Sequence, residues 1–306
     1  MKVIVICGLQ NGRYIVDFLK KNPSTDLLRT YVLEDELGEN ISDFVLFDDL
    51  VGNDVLVKVK NINEYAGEIH KLKPDLIFVV GFSQLISKTI IDSAKIGVIG
   101  FHPSRLPKDR GRSVLAWQIS EGYSTGCVSM FWIDEGIDSG DIIGQKDFEI
   151  SYNDTIRDVL DKVYDICLEL TRTYYPLIKK DYMIKVKQDD KQATYRRKRT
   201  KEDGLINWDN SSYVIYNLVR AITEPYPGAL SFYDDQEIII LEVEEMDLKG
   251  EYGNILAGTI IGFLLNRGMV VKSKEDAIVV KKAIIGNKHI NCNELHDYFT
   301  IGKRFE

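Results

Sequence analysis

The first hundred residues alternate short apolar runs with stretches whose apolar residues recur at helical spacing. Val3 to Cys7 is apolar throughout and runs into Gly8; after Gly12, residues Tyr14, Ile15, Phe18 and Leu19 recur as one face of a helix does. Tyr31-Val32-Leu33 and Phe44-Val45-Leu46-Phe47 are short strand candidates, and Ile62 to Leu72 fits a helix. Asp75 to Gly81 is the clearest buried strand, followed by a helix over Lys88 to Ala94 and a short strand over Gly97 to Gly100. This alternation predicts an α/β fold with a mostly parallel sheet covered on both faces by helices. Such sheets bind ligands at the carboxyl ends of their strands, which is where Gly81 and His102 fall.

Further along, Ile156, Val159, Leu160, Val163, Ile166, Cys167 and Leu170 predict a long helix over Thr155 to Ile178, with Asn153, Asp154 and Thr155 as capping groups and Asp158 three residues after Thr155. The pattern changes after about residue 184. A basic stretch leads to a helix carrying Val214, Ile215, Leu218, Val219 and Ile222, which Pro225-Tyr226-Pro227-Gly228-Ala229 breaks. Short β-rich runs follow over Glu237 to Val243, Gly258 to Phe263, Met269 to Lys272 and Ala277 to Val280, and they read as a small antiparallel barrel or sandwich.

The 306 residues suit two domains, and an apolar content of 44% is enough to bury a core. No run of eighteen apolar residues exists, so no membrane partner is expected. The apolar run at the start is too short for a signal peptide and is broken by Gln10, Asn11 and Arg13, which points to a cytoplasmic protein. Cys7, Cys127, Cys167 and Cys292 show no CxxC or CxxH spacing; they read as buried free thiols in a reducing compartment, and no metal is expected. The net charge of -8 argues mildly against a nucleic-acid partner. Its distribution says more. Thr30 to Val57 holds no Lys or Arg and eight acids (Glu34, Asp35, Glu36, Glu39, Asp43, Asp48, Asp49 and Asp54), whereas Lys179 to Lys201 is dense in Lys and Arg.

Candidate chemistry centres on one of four histidines. His70, His289 and His296 read as ordinary core or surface residues. His102 follows a buried strand, between Gly100-Phe101 and Pro103, in a loop ending Pro107-Lys108-Asp109-Arg110-Gly111. Some thirty residues on, Asp134, Glu135, Asp138 and Asp141 stand among apolar residues and two glycines, where carboxylates are costly unless paired or functional. Gly8-Leu9-Gln10-Asn11-Gly12 lacks the second glycine of a GxGxxG fingerprint; it reads as a tight turn into a helix, with Gly8 and Asn11 placed to meet a substrate phosphate.

The segment Phe101 to Ile143 resembles the core of the formyltransferases that use N10-formyltetrahydrofolate. The usual loop of that family is Asn-x-His-x-Ser-x-Leu-Pro followed by Arg-Gly, with a later Leu-Asp-x-Gly-Asp motif. This chain shows His102-Pro103-Ser104-Arg105-Leu106-Pro107, Arg110-Gly111 and Ile137-Asp138-Ser139-Gly140-Asp141. Ile206-Asn207-Trp208, Arg220-Ala221, Pro225 to Ala229 and Ala257-Gly258-Thr259-Ile260 extend the resemblance over most of the chain. It implies a Rossmann-like catalytic domain over residues 1–200, the formyltransferase fold, and a β-rich, OB-like domain with a leading helix over residues 201–306. It further implies that His102 and Asp138 are catalytic and that no metal is needed. The pterin would lie against Phe82, Leu85 and Ile86, with Ser104, Arg110, Gly111, Asp134 and Ile137 completing the folate site.

One departure stands out. The family's asparagine, two residues before the histidine and a donor to the formyl oxygen, maps onto Gly100. Losing such a donor costs about a hundredfold to a thousandfold in rate. Another donor replaces it, or the enzyme is slow or has an altered acceptor, or the chain only binds ligand; the intact His102, Asp138 and Arg110-Gly111 favour an active enzyme. For the acceptor, the expectation is an amino sugar on a nucleoside diphosphate, whose phosphates Lys108, Arg112, Arg196, Arg197 and Arg199 would meet. The alternative is initiator methionyl-tRNA. The tRNA enzyme is expected to grip its substrate with a basic loop early in the chain, where this chain is acidic. A homodimer is compatible with either.

Overall fold

The computed structural model describes residues 1–38 and 41–306; Glu39 of the acidic stretch lies outside the described residues. The chain forms two compact units, one of Met1–Val114, Thr125–Glu149 and Leu160–Arg197, the other of Leu115–Ser124, Ile150–Val159 and Lys198–Glu306. Up to Arg197 the elements run β1 (Lys2–Cys7), α1 (Gln10–Lys20), β2 (Asp26–Leu33), α2 (Asp35–Gly38), β3 (Leu56–Val59), α3 (Ala66–Leu72), β4 (Leu76–Val80), α4 (Lys88–Ile91), β5 (Gly97–His102), β6 (Arg110–Gly111), α5 (Val114–Ser120), β7 (Thr125–Trp132), β8 (Ile142–Glu149), α6 (Ile156–Ile178) and β9 (Tyr195–Arg196).

The first unit is built on a seven-stranded sheet in the order β3-β2-β1-β4-β5-β7-β8. Its first five strands are parallel, and β7 and β8 add antiparallel at one side. Val3 to Cys7 and Leu76 to Phe78 are fully buried, which explains why these strands read as unbroken apolar runs. Ile4, Ile6, Ile77 and Val98 pack with Ile62, Ile69 and Ile90 in one cluster. Truncating one such buried isoleucine to alanine costs about 2–5 kcal/mol. Ile15, Val16 and Leu19 of α1 are fully buried as well, as is Cys167 of α6, whose thiol burial pushes up to about 12.

Register places the site. Cys7 pairs with Val80 and Val79 with Gly100, so Gly8, Gly81 and His102 follow at one edge of three adjacent strands. β5 runs two residues past the predicted end, because β7 pairs with it: Gly100 faces Phe131 and His102 faces Ser129. His102 is therefore the last residue of a strand and its backbone is held by the sheet. Phe44 to Phe47 is not a strand; Phe44 alone bridges Leu9, just beyond the end of β1. β6 and β9 form a separate parallel pair that joins Arg110 to Tyr195 and Gly111 to Arg196.

The second unit continues with α7 (Ser212–Ile222), β10 (Ala229–Tyr233), β11 (Gln236–Met246), β12 (Ile260–Leu264), β13 (Gly268–Lys272), β14 (Ala277–Ile285) and β15 (Lys288–Asn291). The strands form an antiparallel sheet in the order β10-β11-β14-β13-β12, with β15 on β14. Two segments from before residue 200 belong to this unit. Arg199 stacks over Trp117 at 4.3 Å, and Tyr152 stacks on Tyr216 at 4.7 Å. Buried Arg220 donates to the carbonyls of Asp154 at 2.8 Å and Ser151 at 3.3 Å, and burial pushes its guanidinium below the usual arginine value. These contacts span tens of residues, so a boundary drawn from composition alone misses them.

Among the described residues no helix is long and apolar enough to cross a membrane. Gly111 has φ +106°, and a Cβ there would lie 2.3 Å from the carbonyl oxygen of Arg196. Gly111→Ala is therefore expected to part β6 from β9 and to destabilise the fold by about 2 kcal/mol or more. Thermal unfolding checks this, and an unchanged midpoint would contradict it.

Candidate active site

His102 is buried, with 5% of its surface exposed, and both ring nitrogens face oxygen. Nε2 lies 2.7 Å from the carbonyl oxygen of Asp109. A carbonyl only accepts, so Nε2 carries a proton and donates it. Nδ1 lies 3.5 Å from Asp138 Oδ2. The ring thus has one fixed hydrogen bond and a second nitrogen turned toward a carboxylate, an arrangement that can hold or pass a proton between them.

Asp138 owes its aim to its backbone. It sits at φ +50°, in the left-handed region that few residues other than glycine adopt. Its Oδ2 accepts the Gly111 N–H at 2.9 Å. Two residues on, Gly140 approaches the carbonyl of Trp132 so closely that a Cβ would meet it at 1.7 Å. The turn is tight enough that only glycine fits there. Asp134, four residues earlier, accepts from Gly136 N–H at 3.0 Å and Ser139 Oγ at 2.8 Å and so closes the same turn.

The loop after His102 is tied down by buried polar groups. Ser129, opposite His102 on β7, donates to the Ser104 carbonyl at 2.6 Å and accepts from Leu106 N–H at 3.2 Å and Gln145 Nε2 at 2.8 Å. Ser104, expected at the cofactor, is fully buried and spends its hydroxyl on the Lys108 carbonyl at 2.6 Å. Arg110, also expected there, is only 2% exposed. Its guanidinium donates to Gln188 Oε1 at 2.8 Å through Nη2 and 3.2 Å through Nε, to Asp190 at 2.8 Å and to Tyr195 at 3.0 Å. The side chains of Ser104 and Arg110 are struts of the loop in this structure, and Gly111 acts through its backbone. Asp109 offers its carbonyl to His102 while its carboxylate pairs with Arg196 at 2.8 Å. Sequence reasoning missed Ser129, Asp109 and Gln188. Ser129 and Gln188 are single polar residues with no periodic or motif signal, made significant by partners far along the chain; Asp109 lies inside the loop already singled out but acts on His102 through its backbone carbonyl, which its side chain does not reveal.

Gly100 is buried two residues before His102 on β5, so its missing side chain would point to the same sheet face. Ile133 fills that space. A Cβ on Gly100 would come within 2.9 Å of Ile133 Cγ1 and 3.1 Å of Phe131 Cε1.

The remaining expected residues fall as follows. Phe82 and Ile86 pack against the apolar cluster beneath the sheet edge, while Leu85 is 82% exposed and Ile137 56% exposed. The loop from Gly81 to Ser87 is pinned by Gln84, which accepts from Ile62 N–H at 2.9 Å and donates to the Lys60 carbonyl at 2.7 Å. Asn11 is buried at the start of α1 and accepts the Gly12 N–H at 2.9 Å; a Cβ on Gly81 would meet it at 2.8 Å. The Gly8 carbonyl accepts from Val45 N–H at 3.3 Å. Lys108 and Arg112 are exposed, as is Arg197. Arg196 is engaged with Asp109, and Arg199 lies in the second unit against Trp117. The acidic stretch folds over the Gly8–Leu9 turn, where Arg13 holds Asp49 at 2.6 Å and its hydrogen bond keeps that carboxyl down at about 2. Among the described residues no group of His, Cys, Asp and Glu could hold a metal ion.

Comparison with known proteins then supplies a context for this geometry. Residues 52–170 match the formyl transferase family, and residues 198–297 match the formyl transferase C-terminal domain. The methionyl-tRNA formyltransferase of Fusobacterium nucleatum is 33% identical over 226 residues, covering 74% of this chain and 72% of that protein. Among solved structures, HypX from Aquifex aeolicus in complex with tetrahydrofolic acid superposes with a TM-score of 0.70 at 14% identity, covering 96% of this chain and 46% of HypX. The chain therefore spans about half the length of that protein. An N-formyltransferase from Helicobacter canadensis, in complex with folinic acid and dTDP-3-aminofucose, gives 0.67 at 18% identity, covering 92% and 98%.

The Gly100–Ile133 packing yields a test. Gly100→Asn alone is expected to lower stability by about 1–3 kcal/mol through overpacking, and to cost less when introduced into Ile133→Ala, a truncation that has a packing cost of its own. Denaturant unfolding of the two single variants and the double variant checks it. Strict additivity would show that the two positions do not compete for space.

Proposed function

The chain belongs to the formyl transferase family and is a formyl-transferring enzyme, and from that premise we propose that its acceptor is the primary amine of an amino sugar carried on a nucleoside diphosphate. The family's formyl donor is N10-formyltetrahydrofolate, which supplies an activated formyl group on nitrogen. The sheet edge suits such a ligand. Gly81 has φ +56°, Phe82 and Ile86 offer a fixed apolar wall, and Ser87 Oγ in the same loop is buried with no partner among the described residues.

The chain's own groups have definable work. An amine that attacks a formyl carbon must lose a proton, while negative charge grows on the formyl oxygen. Asp138 and His102 Nδ1 frame one proton position, so the pair takes the amine proton and keeps positive charge near the growing negative charge. The Asp109 carbonyl fixes the opposite nitrogen and keeps the ring from turning. With Ile133 in the place of an asparagine side chain, the formyl oxygen depends on this ring and on backbone donors.

The acidic stretch is the observation that carries the choice of acceptor. It bridges Leu9 through Phe44, at the edge that also bears His102; there Asp48 and Asp49, 53% and 71% exposed, take Lys58 at 3.0 Å and Arg13 at 2.6 Å as partners, so the nearby cations are spent on acids of the stretch itself. A tRNA presents many phosphates and is repelled by such a surface; a nucleoside diphosphate presents two and needs few cations, which exposed Lys108 and Arg112 supply. The dTDP-sugar complex of the Helicobacter canadensis enzyme is consistent with this reading. The second reading, methionyl-tRNA, is favoured by the identity with the Fusobacterium nucleatum enzyme.

Tetrahydrofolate release from N10-formyltetrahydrofolate, measured against dTDP-, UDP- and GDP-linked amino sugars and against charged initiator tRNA, separates the two. We expect release with an amino sugar, and kcat/KM that falls only a fewfold between about 50 and 200 mM salt, where a tRNA enzyme would fall at least tenfold. Release with tRNA alone would overturn the proposal.

A further inference from the structure

Gln188 lies on the segment between α6 and β9, is 5% exposed, and has every hydrogen-bonding position of its carboxamide engaged. Its Nε2 donates to the carbonyls of Asp138 at 2.9 Å and Gly140 at 2.7 Å. Its Oε1 accepts from Arg110 Nε at 3.2 Å and Nη2 at 2.8 Å. A carboxamide has two donor hydrogens and two acceptor sites, and here all four are used. The orientation is forced as well: turned over, the amide would set its oxygen against two carbonyls and its NH2 against a guanidinium.

We propose that Gln188 is a positioning residue for formyl transfer, the link through which the Arg110 loop sets the aim of the Asp138 carboxylate on His102. The inference rests on the formyl-transfer reading of the His102–Asp138 pair. The two carbonyls that Gln188 holds flank the left-handed turn at Asp138, and no other side chain is described on either of them. Fixing carbonyls 138 and 140 fixes the peptide planes on both sides of that turn, and with them the direction of the Asp138 side chain. The same loop delivers Gly111 N–H to Asp138 Oδ2 and the Asp109 carbonyl to His102 Nε2. Arg110 sits between those two residues in sequence, so the Arg110–Gln188 bonds keep the carboxylate and the imidazole in one frame. Without Gln188 the Asp138 turn and the His102 loop still touch at Gly111, but among the described residues no other side chain bonds the carbonyls of Asp138 and Gly140.

Gln188→Glu keeps the volume and the acceptors for Arg110 and removes the two donors. Gln188→Asn keeps both kinds of group and draws them back by one methylene. Both are made in the full chain and compared with wild type and Asp138→Asn. The measurements are melting temperature, kcat, KM for N10-formyltetrahydrofolate, and the ¹⁵N signals of the His102 ring in the resting protein. The expected result, read below the melting temperature of each variant, is a tenfold or greater fall in kcat, a change in KM below threefold, and His102 Nδ1 signals displaced toward those of Asp138→Asn; Gln188→Glu, which sets an oxygen against two carbonyls, is also expected to melt lower than wild type. The Gln188→Asn variant decides the matter should Gln188→Glu not fold. Wild-type ring signals in a folded variant would overturn the proposal, whether or not stability or kcat had fallen. The ring signals need no substrate, so failure of wild type to transfer formyl to any amine would defeat the functional reading separately.

Discussion

Asp138 holds a backbone conformation that costs about 1–2 kcal/mol for a residue with a side chain, and its Oδ2 takes the N–H of Gly111 at 2.9 Å. The rest of the site is arranged around that contact. Gly111 reaches Asp138 because β6 pairs with β9, and the pairing is close enough to exclude a Cβ at Gly111. The turn closes because Gly140 lies against the Trp132 carbonyl. The strand that ends in His102 then needs only to be in register with β7 for the imidazole to meet the carboxylate.

The scaffold and the loop are stabilised by different physics. The sheet is apolar on both faces in its central strands and its stability comes from burial, which tolerates small adjustments. The loop from Ser104 to Gly111 is held by hydrogen bonds between buried polar groups: Ser129 with Ser104, Leu106 and Gln145, and Arg110 with Gln188, Asp190 and Tyr195. Each such bond adds about 1 kcal/mol net when made and costs about 1–3 kcal/mol when one partner is lost. Directional bonds with that asymmetry permit one geometry, which suits a site where a ring and a carboxylate must stay within a few tenths of an ångström of each other.

Much of this was legible in the sequence. The apolar runs at Val3 to Cys7 and Asp75 to Gly81 and the helical spacing of Ile156 to Leu170 marked β1, β4 and α6, because burial leaves a periodic record. His102 and Asp138 stood out by motif. The β7–β8 hairpin was not drawn, since the chemistry-bearing stretch from Met130 to Ile143 masks the strand ends on either side of its turn. The bracing partners of Ser104 and Arg110 were not legible for a related reason. A polar side chain in a functional motif looks the same whether it faces a ligand or braces a loop, and only the long-range partners Ser129, Gln188 and Asp190 distinguish the two. Gly100 was legible as an absence; that Ile133 occupies the space was not, because the two meet only through the pairing of β5 with β7, just past the end of β7.

The account stands on the Asp138–His102 pair as the centre of formyl transfer. The most direct measurement is single-turnover transfer by Asp138→Asn with saturating amine, together with direct binding of the folate. Asparagine keeps the size of the side chain and an oxygen for Gly111 N–H, and removes the charge. The account predicts a fall in rate of about a hundredfold or more with folate affinity within a few fold of wild type. A rate near that of wild type would contradict it.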